Sequence, residues 1–189
     1  MNSVHLMNLS GQILISLPNI EDERFYKSVI YICAHSQEGS MGIIINKSLE
    51  LNLYPSLLEQ LGIDSSYTNK KIFFHYGGPV ETGRGFILHS DDFIKKESMP
   101  IDDGIVLTST IDFITDLKKG LGPKISILAL GYAGWGPGQL ESEISKNGWM
   151  TSSVSSNFVF DENNSQKWEK AYNLLGINPY SLSNNFGNA

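Results

Sequence analysis

The sequence predicts an α+β fold with a mixed, mainly antiparallel sheet. Three observations predict it. Two runs rich in Val and Ile, Ser28–His35 and Met41–Asn46, flank a polar segment, Ser36–Ser40, that contains Gly39. That is the pattern of a β-hairpin with a longer turn. Further strand and helix patterns follow without the regular alternation of a parallel fold. The length of 189 residues, with 41% hydrophobic and 18% charged residues, suits one buried domain over 1–189 and is short for two.

The elements read in order as follows. Gly11–Leu17 is short and apolar, a buried strand stopped by Pro18. Asn19–Lys27 is a polar loop with one helical turn around Glu21–Phe25. The two hairpin strands are nearly continuous in apolar residues, so both faces should be buried in the sheet interior. Asn52–Leu61 reads as a helix, with Pro55 in its first turn, Leu57, Leu58 and Leu61 on one face, and Gly62 as its stop. Lys71–Tyr76 is an aromatic-rich strand that Gly77, Gly78 and Pro79 break sharply. Gly85–His89 is the next strand, and Gly77–Arg84 is expected to join it to an antiparallel neighbour. Asp91–Asp103 reads as a polar loop and Gly104–Thr108 as a short strand. Ser109 and Asp112 resemble a capping box for a helix through Lys119, ended by Gly120.

Ile125–Leu130 is a strand that runs into Leu130–Met150, a stretch holding Gly131, Gly134, Gly136, Gly138, Gly148 and two of the three tryptophans. Pro137 sits where a first helical residue costs nothing for its missing N–H. Leu140 and Ile144 form one face of the helix that follows. Glu141 and Glu143 lie early and Lys146 late, as the helix dipole favours, and Gly148 closes it. Asn157–Phe160 reads as a late strand. Gln166–Leu175 is a last helix with Trp168, Tyr172 and Leu175 on one stripe and Gly176 as its stop. The small, polar Ser181–Ala189 reads as a frayed tail.

Composition narrows the function. The longest uncharged apolar run, Val29–Ala34, falls far short of the ~20 residues of a membrane-spanning helix. The N-terminal MNSVHLMNLSGQILISLP has no basic start and does not read as a secretory signal. One cysteine makes no internal disulfide. A cytoplasmic location with no membrane contact is the simplest expectation. The net charge of -6 and the scattered pairs Lys70–Lys71, Lys95–Lys96 and Lys118–Lys119 argue against direct nucleic-acid binding.

The chemistry-bearing patterns are weak. From Gly134 and Gly136 the third position of a dinucleotide fingerprint falls on Gln139, so the pattern fails. Gly131 and Gly136 have P-loop spacing, but Pro137 and Gly138 replace the Lys and Ser/Thr. What survives is first a tight strand-to-helix turn with Trp135 plugging the core, and second an anion site at a helix start capped by Gly136, which Gln139 could satisfy by folding back. Cys33 and His35, two apart on a strand, are expected to share a face. Their apolar setting points to a buried thiol rather than a nucleophile. His75 and His89 have no neighbouring ligand at useful spacing. Glu141 and Glu143 are two apart on a helix and make a poor carboxylate pair. No zinc or serine-hydrolase motif occurs, so no catalytic residue, metal or cofactor is expected.

Five stretches carry a family resemblance. GQILIS with Phe25, SVIYICAHSQEGSMGIIINKS, YGGPVETGRGFILHS and LGYAGWGPGQLESEISKNGWM resemble the successive blocks of the AlgH/YqgE family, and LLGINPYSLSNNFGNA is similar to its C-terminal end. Lys47 and Ser48 depart from a common Arg-Pro pair, and Met150 from a smaller aliphatic. The resemblance implies a bacterial protein with no established activity or agreed catalytic residues, named for an association with transcriptional control of alginate production. It implies an α+β fold whose sheet is bifurcated and partly folded over itself, with about four or five helices.

Two functions follow as expectations. The first is a non-enzymatic regulatory or interaction protein. The second is a small-molecule binder or enzyme with a pocket at the glycine-rich loops. The contact residues would be Gly78, Pro79, Trp135, Gly136 and Gln139. Gly77–Pro79 and Gly131–Gln139 are expected to lie against each other with Trp135 between them. The partner is an unidentified protein or small molecule, and the oligomeric state stays open.

Overall fold

The computed structural model describes residues 8–49, 72–102, 104–108, 113–114, 116 and 119–182. Among them nine strands form one sheet: β1 (Gln12–Ser16), β2 (Val29–Ser36), β3 (Gly39–Ile44), β4 (Ile72–Tyr76), β5 (Val80–Ser90), β6 (Met99–Asp102), β7 (Ile105–Thr108), β8 (Ser126–Trp135) and β9 (Trp149–Ser153). The order is β6-β7-β5-β8-β3-β2-β1-β9, with β4 on β8 outside that path. Four helices have both ends placed: α1 (Gln139–Ser145), α2 (Ser156–Val159), α3 (Asn164–Leu174) and α4 (Pro179–Leu182). The fold is α+β, and its sheet is mostly antiparallel and curled into a half-barrel. The curl brings β6 round to the start of β1. A Cβ on Gly11, beside β1, would stand 3.0 Å from the Asp102 carboxylate of β6.

The β2–β3 hairpin forms antiparallel in the sheet interior, as the β-branched runs predict. Its turn is tighter than expected. Ser36 pairs with Gly39, leaving only Gln37 and Glu38 in the loop. Gly39 has φ +136°, and a Cβ there would meet the Trp135 carbonyl at 2.4 Å, so β8 leaves no room for a side chain.

β8 is the hub, and it is longer than its apolar run. It continues through the glycines to Trp135 because its edges are paired along that length. Val80 of β5 pairs with Tyr132 on one side, and Ser40–Gly42 of β3 pair with Ala133–Trp135 on the other. Backbone pairing holds a glycine-rich strand that propensity alone would not. The first half of β8 pairs in parallel with β4. β4 and β5 are therefore not neighbours, as the sequence reading had them: β8 lies between them.

Other expectations need correction. β5 begins at Val80, not Gly85, and a large bulge separates its Val80 and Gly85 pairings. The loop read at Asp91–Asp103 contains β6, which pairs with β7 despite Pro100 because an edge strand can spare a donor. Asn157–Phe160 is not a strand: Ser156–Val159 is the helix α2. β9 escaped the reading because Trp149–Ser153 has little apolar alternation and pairs on one side only, with β1. α1 starts at Gln139 with Gly138 as N-cap at φ +70°, so Pro137 and Gly136 precede the helix. Leu182 lies in α4, so the helical chain runs into the segment read as a frayed tail. The Asn52–Leu61 helix lies outside the described residues. Of the Ser109–Lys119 helix, residues 113, 114, 116 and 119 are described; the first three are helical and Lys119 is already in a turn.

Three apolar clusters hold these elements. Inside the curl, Tyr31, Ile43, Leu88 and Ile127 pack with Trp168, Ala171 and Tyr172 of α3. Trp168 Nε1 and the Tyr172 hydroxyl both donate to the Ser16 carbonyl, at 2.9 and 3.1 Å, tying α3 to β1. On the outer face, α1 covers Leu14, Ile30, Ile32 and Ile44 through Leu140, together with Trp135 and Trp149. Phe113 and Ile114 cover Phe74, Ile87 and Leu128 on the other part of the sheet.

Candidate functional site

The crossing of two glycine breaks shapes the outer face. A Cβ on Gly78 (φ +151°) would stand 2.1 Å from the carbonyl carbon of Tyr132, and one on Gly131 (φ +70°) 2.4 Å from the Gly78 oxygen. Gly77 N donates to the Leu130 carbonyl at 2.8 Å. The breaks lie backbone against backbone and fill each other's space. This placement corrects one expectation. Trp135 does not pack between them; its indole turns to the outer-face cluster, against Trp149, with ring centroids 6.1 Å apart at 83°.

Beside this crossing lies an open groove of about 700 Å³. Pro79 and Val80 form one wall, with Gly134 and Trp135 from the end of β8. Gln139, Glu143 and Lys146 of α1 form another, and Trp149 lies at the start of β9. The loop after β1 closes it with Leu17, Ile20 and Phe25, the last edge-on to Trp149 at 5.5 Å. On the lip, Arg24 pairs with Asp22 at 2.7 Å, and that hydrogen-bonded guanidinium holds the Asp22 carboxyl below its usual range.

One carboxylate organises the walls. Glu143 Oε2 accepts from Trp135 Nε1 at 2.9 Å and from Trp149 Nε1 at 2.8 Å. Its Oε1 accepts from Gln139 Nε2 at 2.9 Å, and Gln139 Oε1 accepts from Gly136 N at 3.0 Å. The chain of bonds runs from the turn before α1, through the helix, to both indoles. A buried indole N–H needs an acceptor, and a carboxylate is a strong one. The fold-back of Gln139 consumes the Gly136 N–H on which an anion site would have relied.

Of the five sequence candidates, Pro79, Trp135 and Gln139 line the groove. Gly136 stands behind it through one hydrogen bond, and Gly78 supports it as backbone packing. Glu143 and Trp149 were missed. The only signal was that a carboxylate lies eight residues after one tryptophan and six before another.

A second open groove, of about 660 Å³, shares Val80, Gly134 and Trp135 with the first and is lined by Met41, Phe86 and Tyr132. Elsewhere among the described residues, Cys33, His35, His89 and Lys167 make contacts within the fold. A bulge at Cys33, where pairing shifts between Ile32 and Ala34, reverses the alternation of β2. Cys33 enters the inner core, while His35 turns outward, its Nδ1 2.8 Å from Ser40 Oγ and its Nε2 3.5 Å from Glu141. The two residues therefore do not share a face. Burial pushes the Cys33 thiol up, away from thiolate. His89 is buried, donating from Nδ1 to the Ser90 carbonyl and meeting Thr108 at Nε2, and burial pushes its imidazole down. Lys167 was also missed. Its Nζ donates to the carbonyls of Ile45 and Val159 at 2.9 and 3.0 Å inside the core, and burial pulls it down to about 8. Among the described residues no group of three His, Cys, Asp or Glu could hold a metal ion, and no helix is long and apolar enough to cross a membrane.

The profile of the AlgH-like family matches residues 13–180, which include every element from β2 to α3 and both glycine breaks. The chain belongs to the AlgH-like family. A "UPF0301 protein" of Rhodopseudomonas palustris (strain HaA2) is 51% identical over 189 residues, covering 96% of this chain and 87% of the relative. The solution structure of the AlgH protein from Pseudomonas aeruginosa matches with a TM-score of 0.76 at 33% identity over the whole of both chains. A crystal structure of a Corynebacterium diphtheriae protein matches at 0.67 and 19% identity, over 88% of this chain and 86% of that one, a likeness of fold alone. The AlgH-like segments GGPV and GYAGWGPGQLE, separated by some fifty residues of chain, both contribute to the groove walls.

Proposed function

We propose that this bacterial protein is a non-enzymatic regulatory or interaction protein, acting in the cytoplasm as a single domain, and that the groove at Trp135 is its contact surface. The observation that carries the reading is Glu143 holding two tryptophans as the wall of an open groove. Rigid aromatic walls with a polar rim are what binding surfaces use for affinity. The passage of one β8 edge from β4 to β3, which we read as the bifurcation of the sheet, brings Gly134 and Trp135 to the groove. Regulation of transcription would then run through a protein partner rather than through DNA, given the charge of -6.

A second reading, a small-molecule binder, draws support from the groove volume of about 700 Å³, which suits a compact organic ligand. Its ligand would lie in the groove and not between the glycine breaks, whose backbones occupy each other's space.

Site-directed photocrosslinking in cells tests the reading. A photoreactive residue at Lys146, on the groove, should yield a discrete protein adduct. The same residue at Leu121, an exposed position outside the groove lining, should not. Adducts at both positions, or at neither, would refute a contact surface here. A bound small mass in native mass spectrometry, displaced in Trp135→Ala, would favour the second reading.

A further inference from the structure

We propose that β9 is a docking edge for the β9 of a second copy of this chain. The strand order ends on β6 and on β9. The two ends are finished differently. β6 has four residues, carries Pro100 and Asp102, and curls against Gly11. Proline, charge and brevity are the usual guards of a sheet edge. β9 has five residues, Trp-Met-Thr-Ser-Ser, with no charge and no proline, and its residues pass from buried at Trp149 to exposed at Ser153. Among the described residues no strand pairs with its outer side, and the Ser153 carbonyl accepts from Ser152 Oγ at 3.1 Å.

The direction of its main-chain groups follows from the ladder. Ser16 N donates to the Ser28 carbonyl, so Ser16 and, by alternation, Leu14 turn their main chains toward β2. Ile13 and Ile15 therefore turn theirs toward β9, where Ser152 and Met150 stand opposite. Thr151 and Ser153 are left with N–H and C=O directed outward.

The partner is a second copy because the edge is self-complementary. Antiparallel pairing about a two-fold axis through Thr151 places Thr151 opposite Thr151, Met150 opposite Ser152 and Trp149 opposite Ser153. Threonine pairs across strands are favourable, and no like charges meet. A chain with a net charge of -6 resists self-association over most of its surface, but this strand contributes none of that charge. The contact is isologous and closes at two copies.

Sedimentation equilibrium on the full chain, from micromolar to submillimolar concentration, tests the pairing. The wild type should show a monomer–dimer equilibrium, and hydrogen exchange at the Thr151 and Ser153 amides should slow as concentration rises. Thr151→Pro and Ser153→Pro each delete an outward N–H and leave the ladder with β1 intact. Each should weaken dimerisation at least tenfold with little change in the circular dichroism spectrum. Ser153→Pro, at the exposed strand end, keeps the test alive if the central proline disturbs folding. A wild type that stays monomeric throughout would overturn the proposal, as would a dimer that keeps its affinity in Ser153→Pro.

Discussion

Replacing Glu143 by alanine separates a wall that depends on one carboxylate from a wall that stands by packing. The carboxylate accepts from both indole N–H groups through Oε2 and from Gln139 through Oε1. A hydrogen bond to a charged group contributes about 1.5–3 kcal/mol, and leaving a buried donor unpaired costs about 1–3 kcal/mol. Glu143 itself is half-buried, and water from the groove can reach part of the site. The low end of each range therefore applies, and Glu143→Ala should cost about 2–3 kcal/mol. That lies below the ~3–5 kcal/mol expected for emptying the Trp135 site with alanine, because the rings and most of their contacts remain. Urea denaturation followed by far-ultraviolet circular dichroism gives the number. A double-mutant cycle with Trp135→Phe isolates the indole bond, because phenylalanine keeps an aromatic ring and loses the donor. A coupling of about 1 kcal/mol is expected. A Glu143→Ala variant within about 0.5 kcal/mol of wild type, the range of an ordinary surface change, would refute the organising role of Glu143.

Gly78→Ala should leave little folded protein, since its Cβ would meet Tyr132 backbone at 2.1 Å. Gly120→Ala, at φ +72° with nothing within 4 Å, should cost only about 1 kcal/mol. Soluble yield and melting temperature check the pair, and equal effects would sink the crossing interpretation. Lys167 has a folded pKa of about 8 against 10.5 unfolded, so its burial cost is full below pH 8 and is relieved as pH rises toward 10.5. The stability of wild type relative to Lys167→Met should therefore rise by up to about 3 kcal/mol across that window. Denaturation midpoints at several pH values measure it, and a flat difference would contradict the buried ammonium. Cys33 should react with a thiol reagent only after denaturant is added. Fast labelling of the native protein would show the inner core open at β2.

The hairpin, the α3 helix and the two glycine breaks were legible in the sequence because each is set by neighbours along the chain. β-branched runs favour extended backbone wherever they land, and Gly176 at φ +69° stops α3 by its own conformational freedom. What stayed hidden depends on partners distant in sequence. β8 outruns its apolar residues only because β3 and β5 pair with its glycine-rich end. β9 is a strand only because β1 offers it an edge, and its polar residues give no period to read. The bulge at Cys33 moved His35 to the opposite face, a change of parity that spacing cannot reveal. In the groove, the sequence named Pro79, Trp135 and Gln139 by their unusual setting, but not Glu143, which joins Trp135 and Gln139. Two glutamates on α1 look alike in sequence. Only the tertiary structure decided that Glu143 faces both indoles while Glu141 meets His35, because the helix rotation and the curl of the sheet determine which carboxylate the tryptophans reach.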